Sequence, residues 1–474
     1  MGNVKFTSSD PLESRLFQKA EEKSRLNLKD FAGRKVLIEG GGYEKIWLET
    51  QPMGGEMYAM RDMEAALNNQ LLFMECRRED GRIPGSIAMI DGKITPQFNK
   101  FQGFCFPDPA LNMYYLAEQG DDYLDQLYET LRGFDEYLWK VRDSDGDGCL
   151  ETWCKYDTGE DHAMRYMDAP DGWEEEVPPE GCEAVPIASM DIMSYSYACR
   201  TVMGEISRIR GREEDAGKCV KRADKVLDKM KSYLWDEAKG AYYDRDRNHN
   251  VMPVLTHNNL RCMYWGSITQ EMADRFVKEH LLNPDEFWTK MPLPSVAVND
   301  PLFRNVTTNN WSGQAEALTY QRAIRALEKY GYFTLIPVLG RKLFEAIGEK
   351  CVFVQQYDPF TGVPSAVSLE GEQDAYGPAM LSVLEYISRM HGIHVERKEI
   401  FWGSFGEAQT EFEQSWRGNT YRIVSSGKKA EAFLNGTKIF EAPAGSRIIT
   451  DYSGRVLRAE KYDEKADARE VRSF

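Results

Sequence analysis

One short segment, residues 157–166 with the sequence Asp-Thr-Gly-Glu-Asp-His-Ala-Met-Arg-Tyr, contains side chains suited to cleaving a glycosidic bond. Such cleavage generally uses one carboxylic acid to protonate the leaving oxygen and a second carboxylate to activate water. Asp161 is the candidate acid, with Arg165 and Tyr166 as candidate sugar-binding residues beside it. The same spacing is typical of an Asp that closes a turn or pairs with Arg165. The segment alone does not decide between these interpretations.

The composition argues against several classes of partner. The chain has 474 residues and a formal net charge of -17, with a pI near 5.1. Nucleic acids and anionic membranes require clustered Lys and Arg, so a small neutral carbohydrate is the favoured partner. The 9 Cys residues are not closely paired and indicate a reducing compartment. Neither a secretory segment nor a membrane helix is recognisable, so we expect a cytoplasmic protein, with a homo-oligomer left open.

Helical periodicity dominates the chain from about residue 56 to residue 395. Asp121, Asp122, Ser189 and Thr269 stand where helix N-caps belong. Together these features predict an all-α catalytic domain over residues 1–400. The clearest predicted helices are 56–77, 122–142, 189–210, 213–234, 270–280, 312–330, 333–347 and 373–390.

The pattern changes near residue 400. Residues 421–424, 430–440 and 446–450 alternate apolar and polar side chains, and Asn435-Gly436 is typical of a tight hairpin turn. The sequence therefore predicts a small β-sandwich-like module over residues 401–474. Packing against the helical body is its expected role, and carbohydrate binding is the alternative.

Several further segments carry a resemblance to a known group of enzymes, and they occur in that group's order: 142–151, 157–166, 234–244, 282–288, 293–296 and 310–313. The chain resembles the (α/α)6-barrel glycoside hydrolases that include trehalase, processing α-glucosidase and mannosylglycerate hydrolase, families 37 and 63 of clan G. It is most similar to the bacterial mannosylglycerate-hydrolase-like group. The resemblance implies an (α/α)6 toroid and an inverting α-glycosidase with Asp161 as general acid.

The position of the general base departs from this resemblance. Related enzymes have a Glu shortly before a Tyr-Asp-Pro sequence, and the residue here is Gln355. A neutral amide cannot take a proton from water at a useful pH. Four explanations fit: an engineered Glu-to-Gln exchange, a nearby carboxylate acting as base, an external nucleophile such as phosphate in a phosphorylase, or sugar binding without cleavage. The nearby carboxylates are Glu370, Glu372 and Asp374.

Other residues are candidates for binding the substrate. Arg61 and Asp62 match a sugar-holding loop of the resembled family, although a surface ion pair is the alternative. Glu316 replaces a Trp of related sequences, and its alternative role is to favour a helix N-terminus. Aromatic side chains in connecting loops stack on the apolar face of sugars. The aromatic candidates are Trp153, Trp311 and Tyr357.

No metal or cofactor is predicted. Residues 143–148 begin like a calcium loop, but Cys154 stands where a bidentate Glu is needed. The 6 His residues lack the spacing of zinc ligands. A sugar isomerase or epimerase on the same barrel is a competing class, and it would require His249 and His257 to converge on one sugar.

Overall fold

The computed structural model describes residues 3–365, 374–462 and 472–473. Four short helical turns of other types accompany the α-helices at Arg25–Asn27, Met164–Tyr166, Val277–Leu281 and Phe333–Leu335. The α-helices of the described part are α1 Pro11–Ser24, α2 Gln51–Tyr58, α3 Met63–Glu75, α4 Pro107–Leu116, α5 Asp121–Val141, α6 Met190–Ile209, α7 Glu213–Tyr233, α8 Asn258–Trp265, α9 Gln270–Phe276, α10 Ala317–Lys329, α11 Ile336–Ile347 and α12 Gly377–His391.

The long predicted helices are confirmed where periodicity and caps agree. Ser189 caps α6 by accepting hydrogen bonds from the backbone N–H groups of Asp191 and Ile192. Thr269 caps α9 in the same way. The N-cap of α5 is Gly120, so Asp121 lies one residue inside the helix, where an acidic side chain favours the positive end of the helix dipole.

Two predicted helices differ from the structure. The predicted helix 56–77 is interrupted, because Asp62 accepts a hydrogen bond from the Ala65 N–H and starts α3 as a separate helix. The predicted helix 312–330 begins only at Ala317, because Ala315–Glu316 forms a strand that pairs with Gln356–Tyr357. Sheet pairing between distant segments overrides helical periodicity at this point.

Strands occupy both the connections between helices and the C-terminal region. They are β1 Val4–Ser8, β2 Leu28–Phe31, β3 Arg34–Leu37, β4 Ile46–Trp47, β5 Ser86–Ile90, β6 Lys93–Gln97, β7 Glu151–Thr152, β8 Ile187–Ala188, β9 Trp235–Asp236, β10 Ala241–Tyr242, β11 Ala315–Glu316, β12 Gln356–Tyr357, β13 Pro364–Ser365, β14 Ile393–Glu396, β15 Glu399–Gly403, β16 Thr410–Trp416, β17 Asn419–Ser425, β18 Lys429–Leu434, β19 Thr437–Pro443, β20 Ser446–Thr450, β21 Val456–Lys461 and β22 Arg472–Ser473.

The C-terminal strands form two sheets that pack face to face. One has the order β1-β16-β17-β18-β19-β22 and the other β14-β15-β20-β21. Trp402 of the smaller sheet contacts Phe440 of the larger, with ring centroids 5.5 Å apart. The predicted hairpin turn is present, since Asn435 and Gly436 both have positive φ between β18 and β19. The predicted domain boundary at residue 400 falls inside β15.

The β-sandwich is joined to the helical body and to the N-terminus. Strand β1 pairs with β16, so the first residues of the chain belong to this module, which periodicity alone did not predict. The Trp416 Nε1 donates to the backbone oxygen of Leu116 at the end of α4, at 3.0 Å. Among the described helices, none has both the length and the apolar character needed to cross a membrane.

Candidate active site

Residues in the connections between the helices line a cavity of about 210 Å³. Most of these loops connect a helix to one of the short two- or three-stranded sheets, which hold the loop ends in register. The residues that line the cavity are Glu39, Tyr43, Trp47, Glu49, Lys100, Gln102, Tyr156, Asp161, Trp311, Gln355 and Tyr376.

Asp161 lies in the wall of this cavity and is held by two side-chain amides. Gln102 Nε2 donates to its Oδ1 at 3.2 Å, and Asn309 Nδ2 donates to its Oδ2 at 2.7 Å. Its backbone oxygen accepts a hydrogen bond from the Trp311 N–H at 2.9 Å. The carboxyl group is therefore fixed in direction, and among the described residues only uncharged groups bond to it.

The loop before Asp161 is anchored by a fully buried ion pair. Arg142 Nη1 lies 2.6 Å from Asp157 Oδ2, and neither side chain is exposed to solvent. Burial acts to raise the pKa of Asp157, but the charge of Arg142 outweighs it and the pKa lies below its usual range. The Arg142 guanidinium also stacks on the Trp153 ring at 4.2 Å. Trp153 thus packs against the buried Arg142–Asp157 pair and does not line the cavity, contrary to the predicted sugar-binding role.

A second buried network holds the loop after Asp161. Arg165 pairs with Glu160 and, at 2.6 Å, with Asp244. Asn258 Nδ2 donates to Glu160 at 2.9 Å. Burial acts to raise the pKa of Glu160, but the charges of Arg165 and Arg261 hold it below the usual range. Arg165 is thus engaged in holding the loop, and it pairs with Glu160 and Asp244 in place of Asp161.

Asn309 lies between Gln355 and Asp161 and bonds to both. Tyr43 OH donates to Gln355 Oε1 at 3.0 Å, and Gln355 Nε2 donates to Asn309 Oδ1 at 3.2 Å. Since Asn309 Nδ2 also donates to Asp161, this one amide bridges the two predicted catalytic positions. This bridging role of Asn309 was not predicted from the sequence, although Asn309 adjoins the 310–313 segment.

Of the three carboxylates considered as alternative bases, Asp374 lies within the described residues. Glu370 and Glu372 lie outside the described residues. Asp374 is described, and it accepts a hydrogen bond from the Phe353 N–H at 2.9 Å while pairing with Lys23. It does not line the cavity. Its contacts give it a structural role in holding the segment that carries Gln355.

Two other carboxyl groups, Glu39 and Glu49, do line the cavity. Glu49 lies 2.9 Å from Arg322 Nη2, yet burial outweighs this charge and raises the pKa of Glu49 to about 7. Glu39 accepts a hydrogen bond from Tyr376 OH at 3.1 Å. Burial and then the charge of Glu49 raise the pKa of Glu39 well above its usual range. The sequence gives little indication of these two residues. Glu39 directly precedes the Gly40-Gly41-Gly42 run and Glu49 follows Trp47, and neither lies in a segment with helical or strand periodicity.

Of the remaining predicted sugar-binding residues, only Trp311 lines the cavity. Arg61 instead pairs with Glu21 at 2.5 Å, away from Asp161. Asp62 caps α3. Their predicted role in sugar binding is at odds with these positions, because both side chains are already engaged in holding local structure.

Glu316, Tyr166 and Tyr357 are buried and do not line the cavity. Glu316 accepts a hydrogen bond from Gln356 Nε2 at 2.6 Å, across the β11–β12 pairing. Burial raises the pKa of Glu316 well above the usual range. Glu316 is therefore neither a cavity carboxylate nor an exposed helix-terminal acid, the two roles considered from the sequence.

The histidines expected of an isomerase do not converge. His257 is buried with its Nδ1 3.0 Å from Thr319 Oγ1, whereas His249 is exposed and bonds to Tyr233 OH at 2.7 Å. Neither lines the cavity.

Two groups of side chains in the described residues have the donor types of a cation site. One, Asp145 with Asp147 and His249, includes the loop that begins like a calcium site. Lys229 Nζ already lies 3.8 Å from Asp147. The other is Glu328 with His394 and Glu396, where the charge of Arg447 is 2.9 Å from Glu328. Nearby cations thus already compensate carboxylates in both groups.

Comparison with known proteins assigns most of the chain to a family. Residues 47–374 match the model of the mannosylglycerate hydrolase MGH1-like glycoside hydrolase domain. The structure is similar to the family 63 mannosylglycerate hydrolase from Thermus thermophilus in complex with glucose, with a TM-score of 0.62 and 16% identity, covering 78% of this chain and 99% of that one.

Two other solved structures share the fold. Neutral trehalase Nth1 from Saccharomyces cerevisiae has a TM-score of 0.56 and 14% identity, over 77% of this chain and 80% of that one. A family 78 rhamnosidase of Bacillus sp. GL1 has a TM-score of 0.62 and 14% identity, over 92% of this chain and 42% of that one. The family match over residues 47–374 agrees with the resemblance found in the sequence, and the chain belongs to the mannosylglycerate hydrolase MGH1-like family of glycoside hydrolases.

Proposed function

We propose that this glycoside hydrolase cleaves a small α-linked glycoside with inversion at the anomeric carbon and with Asp161 as general acid. The observation that carries the proposal is the position of Asp161 in the cavity wall, where its carboxyl group accepts hydrogen bonds from the amides of Gln102 and Asn309. An inverting enzyme needs a proton donor at the glycosidic oxygen and a base that activates water on the opposite face of the sugar.

Gln102 can form a hydrogen bond with Asp161 whether or not the carboxyl group of Asp161 is protonated. Its Oε1 is buried without a hydrogen-bond partner in the described part of the chain, while its Nε2 faces Asp161. Rotation of the amide would exchange the two atoms and let protonated Asp161 donate to Oε1. The same side chain then serves both protonation states of the acid through the catalytic cycle.

The size and lining of the cavity favour a small substrate. Its volume of about 210 Å³ is below the roughly 300–1,000 Å³ typical of sites for drug-sized ligands, and suits a single sugar ring. Trp47, Tyr156 and Trp311 offer aromatic faces for stacking on a pyranose. The names of similar structures suggest mannosylglycerate and trehalose as the first compounds to test.

We extend the proposal to architecture and location. The helices would close into an (α/α)6 toroid around the cavity, as the sequence resemblance implies. The acidic composition, with a net charge of -17, supports a small carbohydrate as the partner, without nucleic acid or an anionic membrane surface. The 9 cysteines, all unpaired, support a cytoplasmic location.

The test is hydrolysis of a panel of α-linked compounds: mannosylglycerate, trehalose, and aryl α-mannosides and α-glucosides. We expect Asp161→Asn to lower kcat on the cleaved compound by about 10²–10⁴-fold, because it removes the proton donor. Asp168→Asn is the matched control, since Asp168 is an exposed carboxylate seven positions along the same loop region. Equal activity of Asp161→Asn and the native chain would contradict the proposed acid.

A further inference from the structure

An inverting glycosidase needs a base that activates water, in addition to the acid Asp161. Gln355 occupies the position that the family resemblance assigns to the base, but an amide cannot accept the proton. Among the described residues, Glu39 and Glu49 are the carboxyl groups that line the cavity besides Asp161. The base of an inverting enzyme must lie across the sugar from the acid, so their sides of the cavity distinguish them.

Glu49 is on the side of Asp161. A Cβ at Gly159, two residues before Asp161, would lie 2.1 Å from Glu49 Oε2, so this carboxyl group packs directly against the acid loop. Gly103, next to the Gln102 that bonds Asp161, has a similarly close approach to Glu49. Glu49 is also committed to Arg322, whose guanidinium is 2.9 Å away and buried.

Glu39 is on the side of Gln355. Its backbone oxygen accepts a hydrogen bond from the Gly377 N–H at 2.6 Å. Tyr376, whose OH donates to Glu39 Oε1, is bonded through its own backbone N–H to the oxygen of Phe353 at 3.0 Å. Phe353 lies two residues before Gln355. Glu39 is thereby tied to the segment that carries the expected base position.

The carboxyl group of Glu39 is also available for chemistry. Its Oε1 accepts one hydrogen bond, from an uncharged phenol, and no donor in the described residues bonds its Oε2. No cation pairs with Glu39 in this part of the chain. A carboxylate with one fixed oxygen and one oxygen open to the cavity is suited to receive a proton from water.

We propose that Glu39 is the general base of this enzyme and replaces the carboxylate that relatives carry at position 355. The inference rests on the proposed hydrolytic function. In this step Glu39 removes a proton from water as the water oxygen bonds to the anomeric carbon. The bond to the leaving oxygen breaks, and Asp161 gives that oxygen its proton. Both carboxyl groups then return to their starting states by exchange with solvent.

The electrostatics of the cavity agree with this role. Burial raises the pKa of Glu39, Glu49 and Asp161 raise it further, and the Tyr376 hydrogen bond and Arg322 partly oppose them. A base with a raised pKa holds a proton more firmly in the transition state, provided that the working pH leaves it ionised. Tyr43, beside Tyr376, is a further titratable neighbour, and Lys100 and Tyr156 also line the cavity.

The experiment separates base from acid by the choice of leaving group. An α-glycosyl fluoride needs little protonation to depart, so its hydrolysis depends on the base more than on the acid. We expect Glu39→Gln in the full chain to lower kcat by about 10²–10⁴-fold on both the fluoride and the aryl glycoside. Asp161→Asn should lose aryl-glycoside activity by a similar factor but keep fluoride hydrolysis within about tenfold of the native chain.

Rescue with azide tests Glu39 directly. Azide is already an anion, so its nitrogen can bond to the anomeric carbon as the C–F bond breaks, with no base required. In Glu39→Ala we expect azide to restore turnover of the α-fluoride and to give the β-glycosyl azide, an outcome available only to a folded enzyme. Absence of rescue, or fluoride hydrolysis by Glu39→Gln within tenfold of the native rate, would overturn the assignment. Retained aryl-glycoside cleavage by Asp161→Asn would instead overturn the proposed function.

Discussion

At the scale of single residues, the site depends on neutral hydrogen bonds around its carboxyl groups. Asp161 is bonded by two amides and Glu39 by one phenol, whereas the nearby carboxylates Asp157 and Glu160 are paired with arginines. Pairing with arginine lowers a carboxyl pKa and removes the group from proton transfer. Asp157 and Glu160 therefore hold the loop in place, whereas Asp161 and Glu39 are available for proton transfer.

The pH profile provides a residue-scale prediction. Because the pKa of Glu39 is raised, kcat/KM should fall on the acidic side at a pH well above 4.5. Tyr376→Phe removes the hydrogen bond that lowers this pKa, so the acidic limb should move to still higher pH. Tyr332→Phe, which loses only a bond to Asp274, is the control and should leave the limb in place. An unchanged limb in Tyr376→Phe would exclude Glu39 as the group that titrates there.

At the scale of elements, the loop that carries Asp161 is shaped by buried ion pairs more than by secondary structure. Only the short strand β7 and one helical turn at Met164–Tyr166 are regular. The Arg142–Asp157 pair joins the end of α5 to this loop. Removing one partner of a buried pair leaves the other charge uncompensated, at a cost of about 3–5 kcal/mol.

We therefore expect Arg142→Met to lower the free energy of unfolding by about 3–5 kcal/mol and to reduce kcat. The pair's contribution is fully present above the usual Asp pKa of about 3.9 and is lost as the pH falls through the lowered pKa of folded Asp157. The difference between variant and native chain should thus shrink in acid, as measured by urea unfolding at several pH values. Arg132→Met, which breaks only exposed pairs on α5, should change stability by less than about 1 kcal/mol.

The elements with local sequence signals were predictable, whereas those formed by pairing between distant segments were not. The loop around Asp161 was identified because its residues are contiguous, and α6 because periodicity and the Ser189 cap agree. Glu39 could not be identified, because its contact with Tyr376 spans 337 residues and involves no repeating pattern. For the same reason β1, which pairs with β16 near residue 412, was not predicted.

At the scale of the whole molecule, the β-sandwich and the helical body share buried charges. Arg447 of β20 lies 2.9 Å from Glu328 of α10 and 2.6 Å from Glu460 of β21, with its own side chain almost fully buried. Helix α10 begins beside the cavity at β11, so the module supports an element that shapes the site. We therefore expect the β-sandwich to contribute more to the stability of the protein than to the rate of the reaction.

Arg447→Met tests this coupling. We expect the free energy of unfolding to fall by about 1.5–3 kcal/mol, because Glu328 loses one buried charged donor but keeps Arg389 at 3.5 Å, while kcat/KM at 25 °C stays within about twofold. Arg455→Met removes an exposed pair with Asp451 on the same module and should be nearly neutral. If Arg447→Met were as stable as Arg455→Met in urea denaturation, the proposed joint between module and body would be wrong.

Inversion with Asp161 as the acid determines the anomeric form of the first product, because water attacks the face of the sugar opposite the leaving group. Proton NMR during rapid hydrolysis of the preferred aryl α-glycoside, before the free sugar mutarotates, distinguishes the two anomers. We expect the β-anomer to appear first and Asp161→Asn to produce almost none of it. Release of the α-anomer first would indicate retention and would contradict the mechanism.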